Sequence, residues 1–341
     1  MLYGLARPLL FSLDPERAHA FALCSIELAS RLRLMRLVAG KAIQSPRRVM
    51  GLDFPNPVGL AAGLDKNAEH INALSRLGFG FLEVGTVTPR AQPGNPPKRM
   101  FRLKRAHAII NRMGFNNDGV DRFVANVRAS GFNGVLGINI GKNFDTPIEH
   151  ALDDYKQCLR SVYTDASYVT INISSPNTQN LRSLQEGQAL ERLLSGLSVE
   201  RSELSQRHGR RVPIAVKISP DLDRSDVEFA ARAACRHGMD AIIATNTTIS
   251  RSGVEHFSQA EQHGGLSGAP LRERATRTVH WLAETLCGEL PIIAAGGIMS
   301  AADAMEKTAA GASLIQLYTG LIYRGPRLVA ECARALRDSQ K

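Results

Sequence analysis

Eight short apolar runs, rich in β-branched residues, recur along the chain from residue 49 onward. They are Val58–Gly63, Phe79–Thr88, Gly134–Gly141, Tyr168–Ser175, Pro213–Ser219, Ala241–Thr248, Pro291–Ile298 and Leu314–Leu321. Amphipathic stretches lie between them, including Ile148–Tyr163, Ala189–Gln206, Ser225–His237 and Arg272–Cys287. Continuous apolar strands joined by helices indicate a parallel sheet that is buried on both faces. Eight such units over roughly 270 residues predict an α/β fold of the (β/α)8 TIM-barrel type.

The length of 341 residues allows one large barrel or two smaller domains. An open, doubly wound sheet is the alternative fold, and it is disfavoured because no G-x-G-x-x-G motif follows the first strand. Five scattered cysteines without C-x-x-C spacing favour a reducing, cytoplasmic compartment and argue against a zinc site.

The first 45 residues differ from the rest and predict a small helical extension ahead of a barrel domain of residues 46–341. A first helix is expected at Leu2–Leu13. Asp14-Pro15 then reads as an N-cap followed by a proline at the first position of a second helix. From there apolar side chains recur at helical spacing, at Ala18, Phe21, Ala22, Leu28, Ala29, Leu32 and Met35.

Positive charge is concentrated in the same region. Residues 1–48 carry eight basic and three acidic side chains, which is half of the formal net charge of +10. An apolar and basic helix pair fits peripheral contact with an anionic membrane surface, and a helical hairpin packed on the main domain is the alternative. We expect neither a transmembrane helix nor a signal peptide, because no run of about 18 apolar residues and no cleavage-site layout is present.

Two connections are longer than a plain helix requires, and we expect them to lie on the catalytic face of the barrel, where such insertions often form lids. Thr88–Gly134 contains several prolines and a basic, strand-like run at Arg99–Ile110. Thr248–Pro291 is rich in glycine.

The carboxyl ends of the predicted strands share a polar or glycine-rich character. The residues there are Ala61 to Asn67, Gly85 to Thr88, Asn139, Asn172, Lys217, Thr245 to Thr247, Gly296-Gly297 and Tyr318 to Gly320. After the fourth strand, Ser175, Asn177 and Thr178 fall on a loop that could also be an ordinary Ser-Pro-Asn turn. Because strand ends of one barrel face share a site, eight polar ends together indicate an enzyme.

The glycines at 296–297 and 320 suggest a phosphate site, since the loops after strands seven and eight of such barrels commonly bind phosphate on backbone N–H groups. FMN is the natural candidate for a cofactor with one phosphate. Lys217, embedded in an apolar strand, would face the flavin and stabilise its reduced form. A structural lysine paired with a carboxylate is the alternative.

Asparagine is dense in this pattern, at Asn111, Asn139, Asn172, Asn177 and Asn246. Amides that offer both donors and acceptors suit a planar ligand such as a pyrimidine or a flavin ring. Ser175 is the candidate base for abstracting a proton next to a carbonyl group. A serine needs help in that role, which Thr178 or a chain of waters could provide.

Several motifs together resemble the dihydroorotate dehydrogenase family over essentially the whole chain. They are A-A-G-L-D-K (61–66), N-R-M-G-F-N-N (111–117), G-I-N-I-G-K-N (137–143), N-I-S-S-P-N-T (172–178), I-A-T-N-T-T (243–248), G-G-L-S-G (264–268), A-G-G-I (295–298) and L-Y-T-G (317–320). The helical extension and the serine at 175 are similar to the membrane-associated, quinone-using class, since the soluble class has a catalytic cysteine there.

The resemblance implies a set of site residues, with Ser175 as the base and no metal ligands. FMN would be bound by Ala62, Gly63, Lys66, Thr86, Asn139, Asn172, Lys217, Thr245, Gly268, Gly297, Tyr318 and Thr319. Dihydroorotate would contact Lys66, Asn111, Arg112, Met113, Gly114, Phe115, Asn172, Asn177, Asn246 and Thr247. The first 45 residues carry the resemblance least, and quinone binding there is implied by pattern only.

The implied reaction, a step of pyrimidine biosynthesis, has two halves. Ser175 removes a proton from C5 of dihydroorotate while a hydride leaves C6 for the flavin, and a membrane quinone then takes the electrons. The enzyme would be peripheral, on the cytoplasmic side of the cell membrane, with the N-terminal helices forming an apolar quinone entrance. His19 could line that entrance, although a solvated surface histidine is the simpler interpretation.

Two other functions fit parts of the sequence. A dihydrouridine synthase is also an FMN barrel, and a pI of about 9.7 suits RNA. However, the basic excess lies on an apolar helix pair and no cysteine occupies a strand-end loop, so no nucleic-acid partner is expected. A non-enzymatic, membrane-docked barrel leaves the clustered polar strand ends unexplained.

Overall fold

Eight parallel strands close into a barrel in the computed structural model, which describes residues 2–39 and 41–339. The described residues form thirteen strands, of which eight belong to the barrel: β1 Arg47–Val49, β2 Leu52–Phe54, β3 Val58–Leu60, β4 Phe81–Val87, β5 Met100–Leu103, β6 Ala108–Asn111, β7 Val135–Ile140, β8 Tyr168–Asn172, β9 Ile214–Ile218, β10 Ala241–Ala244, β11 Gly265–Gly268, β12 Ile292–Ala295 and β13 Leu314–Leu317. The order around the barrel is β10-β12-β13-β3-β4-β7-β8-β9. The predicted barrel is therefore confirmed.

All eight predicted runs contain a barrel strand, and each strand is shorter than its run at the carboxyl end. β8, for example, ends at Asn172, although the apolar run continues to Ser175. The five residues of β8 and the five of β9 are buried throughout, as expected for strands with covered faces. The residues beyond each strand end are thereby released from the ladder and turn over the mouth of the barrel.

Helices connect the strands and surround the barrel, and the first three leave several large apolar side chains exposed. The helices are α1 Leu2–Ser12, α2 Pro15–Arg31, α3 Met35–Ala39, α4 Ile71–Ser75, α5 Val120–Ser130, α6 Ala151–Val162, α7 Gly187–His208, α8 Arg224–Arg236, α9 Arg272–Leu286, α10 Ala301–Ala309, α11 Thr319–Arg324 and α12 Arg327–Asp338. Four of these match the predicted amphipathic stretches within a few residues, with a short 3-10 turn, Ile148–His150, preceding α6.

The N-terminal extension contains the two predicted helices and a third that the sequence pattern hides. Asp14 caps α2 as expected, because its carboxylate accepts hydrogen bonds from the N–H groups of Glu16 (3.0 Å) and Arg17 (3.2 Å). The prediction that this helix continues to Met35 is wrong. Arg33 adopts a left-handed conformation (φ 60°), which ends the helix, and Met35 begins α3 with a buried side chain.

The two insertions meet in a three-stranded antiparallel sheet with the order β11-β6-β5. The strand-like run at Arg99–Ile110 forms two strands, because the segment folds back on itself as the β5–β6 hairpin. His107 has φ 47° at the turn, and this left-handed residue reverses the chain. β6 then pairs with β11 from the second insertion, so the sheet lies across one side of the barrel mouth.

The N-terminal helices pack on this sheet and on the barrel. Arg99 binds Glu16 of α2 through an ion pair of 3.0 Å, and Phe11 of α1 meets Tyr323 edge-on with ring centroids 5.1 Å apart. The Arg76 guanidinium also donates to the Ser30 carbonyl (2.8 Å). The alternative interpretation of the sequence, a helical hairpin packed on the main domain, therefore describes how these helices attach.

A tight contact fixes α11 against the loop that follows β12. A Cβ atom at Gly320 would lie 2.1 Å from the carbonyl oxygen of Ile298, whereas one at Gly4 would have no neighbour within 4 Å. Only glycine lets the backbone at 320 approach the Ile298 carbonyl so closely, next to the carboxyl end of β13.

We expect Gly320→Ala to lower the free energy of unfolding by about 1–3 kcal/mol, because overpacking forces α11 away from the Ile298 loop. Gly4→Ala is the matched control, and it should be neutral or slightly stabilising because alanine favours helices. Thermal unfolding of both variants measures the difference. Equal midpoint temperatures of thermal unfolding for the two variants would contradict the close contact between Gly320 and Ile298.

Candidate active site

One cavity opens at the carboxyl ends of the barrel strands, beneath the insertion sheet. Its lining comprises Ala61, Ala62, Gly63, Lys66, Thr86, Asn111, Met113, Gly114, Phe115, Asn172, Ser175, Asn177, Lys217, Thr245, Asn246, Thr247, Ser267, Gly268, Leu271, Ala295, Gly296, Gly297, Ile298, Gln316, Tyr318, Thr319 and Gly320. Parallel strands place their ends on one face, so residues about 250 positions apart in the sequence share this cavity.

Nearly all of the predicted site residues line the cavity, and Asn139 and Arg112 are the two that do not. Asn139 is fully buried one layer below the surface of the cavity. Arg112 turns away, because its guanidinium donates to the side-chain carbonyl of Gln262 (3.0 Å) and to the backbone carbonyl of Lys98 (2.8 Å). Its neighbours Asn111 and Met113 remain in the wall.

Asparagine side chains from three strand ends join into one hydrogen-bonded chain, called the amide chain below: Asn139, Asn172 and Asn246. Asn172 donates to the Asn139 carbonyl oxygen (3.1 Å), and Asn246 donates to that of Asn172 (3.2 Å). Thr86 also donates to Asn139 (2.5 Å). Asn177 instead reaches Asn111 at 3.3 Å, on the insertion side. The amides are thus fixed in orientation before any ligand arrives.

Ser175 lies on the loop after β8 and is 5% exposed, with its hydroxyl at the cavity wall. Its oxygen accepts the Asn177 N–H at 3.2 Å. The hydroxyl of Thr178, three residues on, is buried and has no hydrogen-bond partner within residues 2–39 and 41–339. The loop therefore brings two hydroxyl groups and one amide to the same end of β8.

Lys217 projects from β9 into the cavity, and burial lowers the pKa of its ammonium while the Glu83 carboxylate opposes that shift. Across the described part of the chain it forms neither a salt bridge nor a hydrogen bond with protein. The alternative of a lysine directly paired with a carboxylate is therefore not what the structure contains. A buried cation without a partner at a cavity wall is suited to an anionic or electron-rich ligand edge.

Lys66 lies between this cavity and a second one of about 380 Å³ on the side of α2. Burial and the Arg99 guanidinium lower the pKa of Lys66 to about 8.

His19 lines the second cavity and is half-buried, so its interpretation as a solvated surface residue is wrong. Burial and the Lys66 charge lower the pKa of His19 to about 4, which keeps its imidazole neutral.

The segments after β12 and β13, the seventh and eighth barrel strands in chain order, can offer backbone N–H groups to an anion. The first N–H groups of α11, at Thr319 and beyond, have no partner within their helix. Gly297 has φ +76°, and a Cβ atom there would lie 2.2 Å from Cα of Arg272. Glycine is therefore needed at 297 for packing against α9, and not only for approach to a ligand.

Sequence reasoning missed three residues that organise the site. Glu83 and Gln316 are buried polar residues in the middle of apolar strands, which is the same signal that identified Lys217. Arg182 donates to the carbonyls of Ser174 (3.1 Å) and Thr247 (2.9 Å) and binds Asp221 (2.8 Å). It ties three strand-end loops together, and no local sequence signal indicates that contact.

The chemistry available is that of a cofactor site combined with proton transfer. The cavity offers backbone donors at one end, a buried ammonium group at β9, ordered amides and a hydroxyl. This arrangement can hold a phosphate and a planar ring and place a second, smaller ring against the Ser175 loop.

Comparison with known proteins agrees with this description. The sequence model for dihydroorotate dehydrogenase matches residues 46–339. A relative from Thiobacillus denitrificans, named dihydroorotate dehydrogenase (quinone), is 61% identical over 336 residues, covering 98% of this chain and 99% of its own. One from Aromatoleum aromaticum with the same name is 60% identical, covering 99% and 96%.

Solved structures give the same result for the fold. Ligand-free DHODH from Eimeria tenella has a TM-score of 0.86 and 38% identity, covering 95% of this chain and 94% of its own. DHODH from the same organism in complex with ferulenol has a TM-score of 0.82 and 37% identity, covering 92% and 91%. The chain described here belongs to the dihydroorotate dehydrogenase family.

Proposed function

We propose that this protein oxidises dihydroorotate to orotate in pyrimidine biosynthesis, with FMN as the hydride acceptor and a membrane quinone as the final electron acceptor. The observation that carries the proposal is the cavity shared by Ser175, Lys217 and four of the five asparagines named above. Full-length relatives named dihydroorotate dehydrogenase (quinone) support the same reaction. Purified protein should be yellow, and dihydroorotate with a quinone analogue should yield orotate with reduction of an electron-accepting dye. A colourless protein, or no orotate, would reject it.

FMN fits the polar groups that the cavity leaves without partners. The buried Oγ1 of Thr247, Oδ1 of Asn177 and Oε1 of Gln316 have no hydrogen-bond partner in the described chain, and all three residues line the cavity. Buried polar atoms are normally satisfied, so these atoms and the Lys217 ammonium favour a polar ligand. When bound, FMN supplies the hydride acceptor.

The residues that would hold FMN belong to the barrel of residues 46–341. They are Ala62, Gly63, Lys66, Thr86, Asn139, Asn172, Lys217, Thr245, Gly268, Gly297, Tyr318 and Thr319. Asn139 would act from below, through Asn172 and Thr86, because it does not itself line the cavity. The phosphate would lie at the Gly297 loop and the start of α11.

Dihydroorotate would lie between the amide chain and the insertion loop. Asn111, Asn177, Asn246 and Thr247 would orient the pyrimidine ring, with Lys66, Asn172 and the 112–115 loop around it. Ser175 would take the proton from C5, and the Thr178 hydroxyl, which has no hydrogen-bond partner in the described residues, would be available on the same loop to receive it. The chain thus binds, orients and deprotonates the substrate with short side chains held by the barrel.

The N-terminal extension, residues 1–45, would bind the membrane and admit the quinone. Eight of the eleven exposed large apolar side chains in the described residues lie there: Leu5, Leu9, Leu13, Phe21, Leu28, Leu32, Leu34 and Leu37. Arg31, Arg33 and Arg36 lie beside them and suit anionic lipid. In the described part of the chain, no helix is both long and apolar enough to cross a bilayer. Peripheral binding on the cytoplasmic side fits this layout.

We expect Ser175→Ala to slow flavin reduction by dihydroorotate by about 10²–10⁴-fold, which is typical for the loss of a general base. Rapid-mixing absorbance of the bound flavin measures the rate, and unchanged flavin content shows that binding is intact. Ser161→Ala is the control, because that hydroxyl bonds only to its own helix, at Gln157. Reduction at the wild-type rate would remove Ser175 from its role.

Orotate affinity should depend on the charge of Lys66. Its pKa of about 8 means that the ammonium form is present below that pH and is lost above it. Orotate is an anion, so its dissociation constant should rise about tenfold per pH unit once Lys66 deprotonates. Titrations of the flavin absorbance between about pH 7 and pH 10 test this. Lys66→Arg stays protonated, so its affinity should lack the step, and a flat wild-type profile would contradict the assignment.

Membrane binding should depend on the exposed leucines of the extension. We expect the triple variant Leu28→Gln, Leu32→Gln, Leu37→Gln to lose sedimentation with anionic vesicles and turnover with long-chain quinones, because three apolar anchors are removed. Flavin reduction by dihydroorotate should persist. These exposed positions are preferable to deletion of residues 1–45, which would uncover the core that Leu23 and Met35 complete.

The matched control is Val199→Gln with Ile249→Gln, since both side chains are exposed and lie far from the extension in sequence. It should sediment with vesicles like the wild type. If the triple variant also binds vesicles normally, the extension is not the membrane contact.

A further inference from the structure

A carboxylate is buried inside the barrel, one layer below the cavity. Glu83 of β4 is 0% exposed. One of its oxygens accepts a hydrogen bond from Asn139 (2.8 Å), and the other accepts from the Tyr168 hydroxyl (3.0 Å) and from Gln316 (2.7 Å). An ionised carboxylate only accepts hydrogen bonds, and the three side chains that bond to Glu83 in the described residues all donate to it.

This carboxylate sets the direction of the amide chain. Because Glu83 accepts only, Asn139 must turn its NH₂ group toward it and its carbonyl oxygen toward Asn172. Asn172 then donates to Asn139 and turns its own carbonyl oxygen toward Asn246. Each amide therefore presents a fixed edge, and the order of donors and acceptors begins at Glu83.

The same charge acts on Lys217, which has no hydrogen-bonded protein partner in residues 2–39 and 41–339. Burial favours the neutral amine and lowers its pKa, and Glu83 is the group that opposes this. Two strands pair with β9. β8 brings Tyr168 and the amide of Asn172, whereas β10 places Ile243 opposite Lys217 and brings no titratable group. Across the cavity the titratable groups are Lys66 and Tyr318, and burial raises the pKa of Tyr318 to about 12, so it stays neutral.

We propose that Glu83 is a positioning residue: its buried carboxylate fixes the direction of the amide chain that ends beside Lys217 and is the counter-charge of the Lys217 ammonium. This inference rests on the proposed function, since Lys217 and the amides are the groups offered to the flavin and the pyrimidine. Glu83 is fully buried and does not line the cavity, so it would act through the residues above it.

Two variants separate charge from shape. Glu83→Gln keeps the length of the side chain and loses the charge, whereas Glu83→Asp keeps the charge and loses a methylene group. A purely structural role predicts that aspartate is worse, because it leaves a void and stretches three hydrogen bonds. A positioning role through charge predicts the opposite order.

The measurement is the pH dependence of FMN retention and of flavin reduction by dihydroorotate, in each holoenzyme. In Glu83→Gln we expect the high-pH loss of both to move down by about one pH unit or more, as the Lys217 cation loses its opposite charge. FMN should then dissociate about tenfold more readily at the pH where the wild type still retains it. Glu83→Asp should keep the wild-type profile.

Tyr168→Phe is the matched control, because it removes one hydrogen bond from Glu83 and no charge, so its pH profile should not move. A Glu83→Gln profile that overlies the wild type overturns the proposal. If Glu83→Gln retains no FMN at any pH, the result for Glu83→Asp decides between the two roles. A shifted pH profile or a loss of FMN in Glu83→Asp would leave Glu83 with a structural role only. Failure of the proposed function can be distinguished from failure of this inference, because the wild-type protein itself would then lack flavin or form no orotate.

Discussion

The closure of the parallel sheet is the constraint on which every part of the site depends. β13 pairs with β3 through Gln316 with Gly59 and Leu317 with Leu60, so the last strand of the chain lies against the first strand of the barrel. Closure leaves the barrel without an open sheet edge and puts all carboxyl ends on one rim. The cavity wall can then combine the loop after residue 60 with the one after residue 317, which no local interaction would bring together.

Closure also explains why so many polar groups can be buried at the site. Away from the site, the strands are filled with apolar side chains such as Phe54, Phe81 and Leu314. Toward the cavity, the interior changes to Glu83, the amide chain and Lys217, where desolvation is costly unless partners are supplied. The protein supplies most of them, but within residues 2–39 and 41–339 Lys217 and three buried oxygens at the wall have no hydrogen-bond partner. This departure from ordinary core chemistry is typical of functional sites, and a bound ligand would complete the set.

The sequence predicted what is local or periodic. Eight apolar runs predicted eight strands, because burial on both faces requires continuous apolar sequence, and the N-cap at Asp14 follows from its side chain alone. What escaped prediction depends on tertiary pairing. The β5–β6 hairpin and the direction of the Arg112 side chain follow from pairing with β11, a strand more than 150 residues away. Glu83 and Gln316 carried a readable signal, a polar residue within an apolar strand, but only the final geometry shows that they meet. The roles assigned to individual site residues stay predictions.

The predicted boundary between residues 45 and 46 separates helices from barrel in the sequence, but the electrostatics of the site extend across it. Glu16 of α2 forms an ion pair with Arg99, and the two charges act in opposite directions on Lys66: Arg99 lowers its pKa and Glu16 raises it. His19 of α2 lines the second cavity together with Lys66 and Tyr318, and these last two residues also line the first. If the extension moved away from the barrel, Lys66 would lose the Glu16 carboxylate, which raises its pKa, and also part of the burial, which lowers it. The helices that would meet the membrane therefore also shape the surroundings of a lysine of the candidate site, so the docking of α2 and the charge of the site are physically coupled.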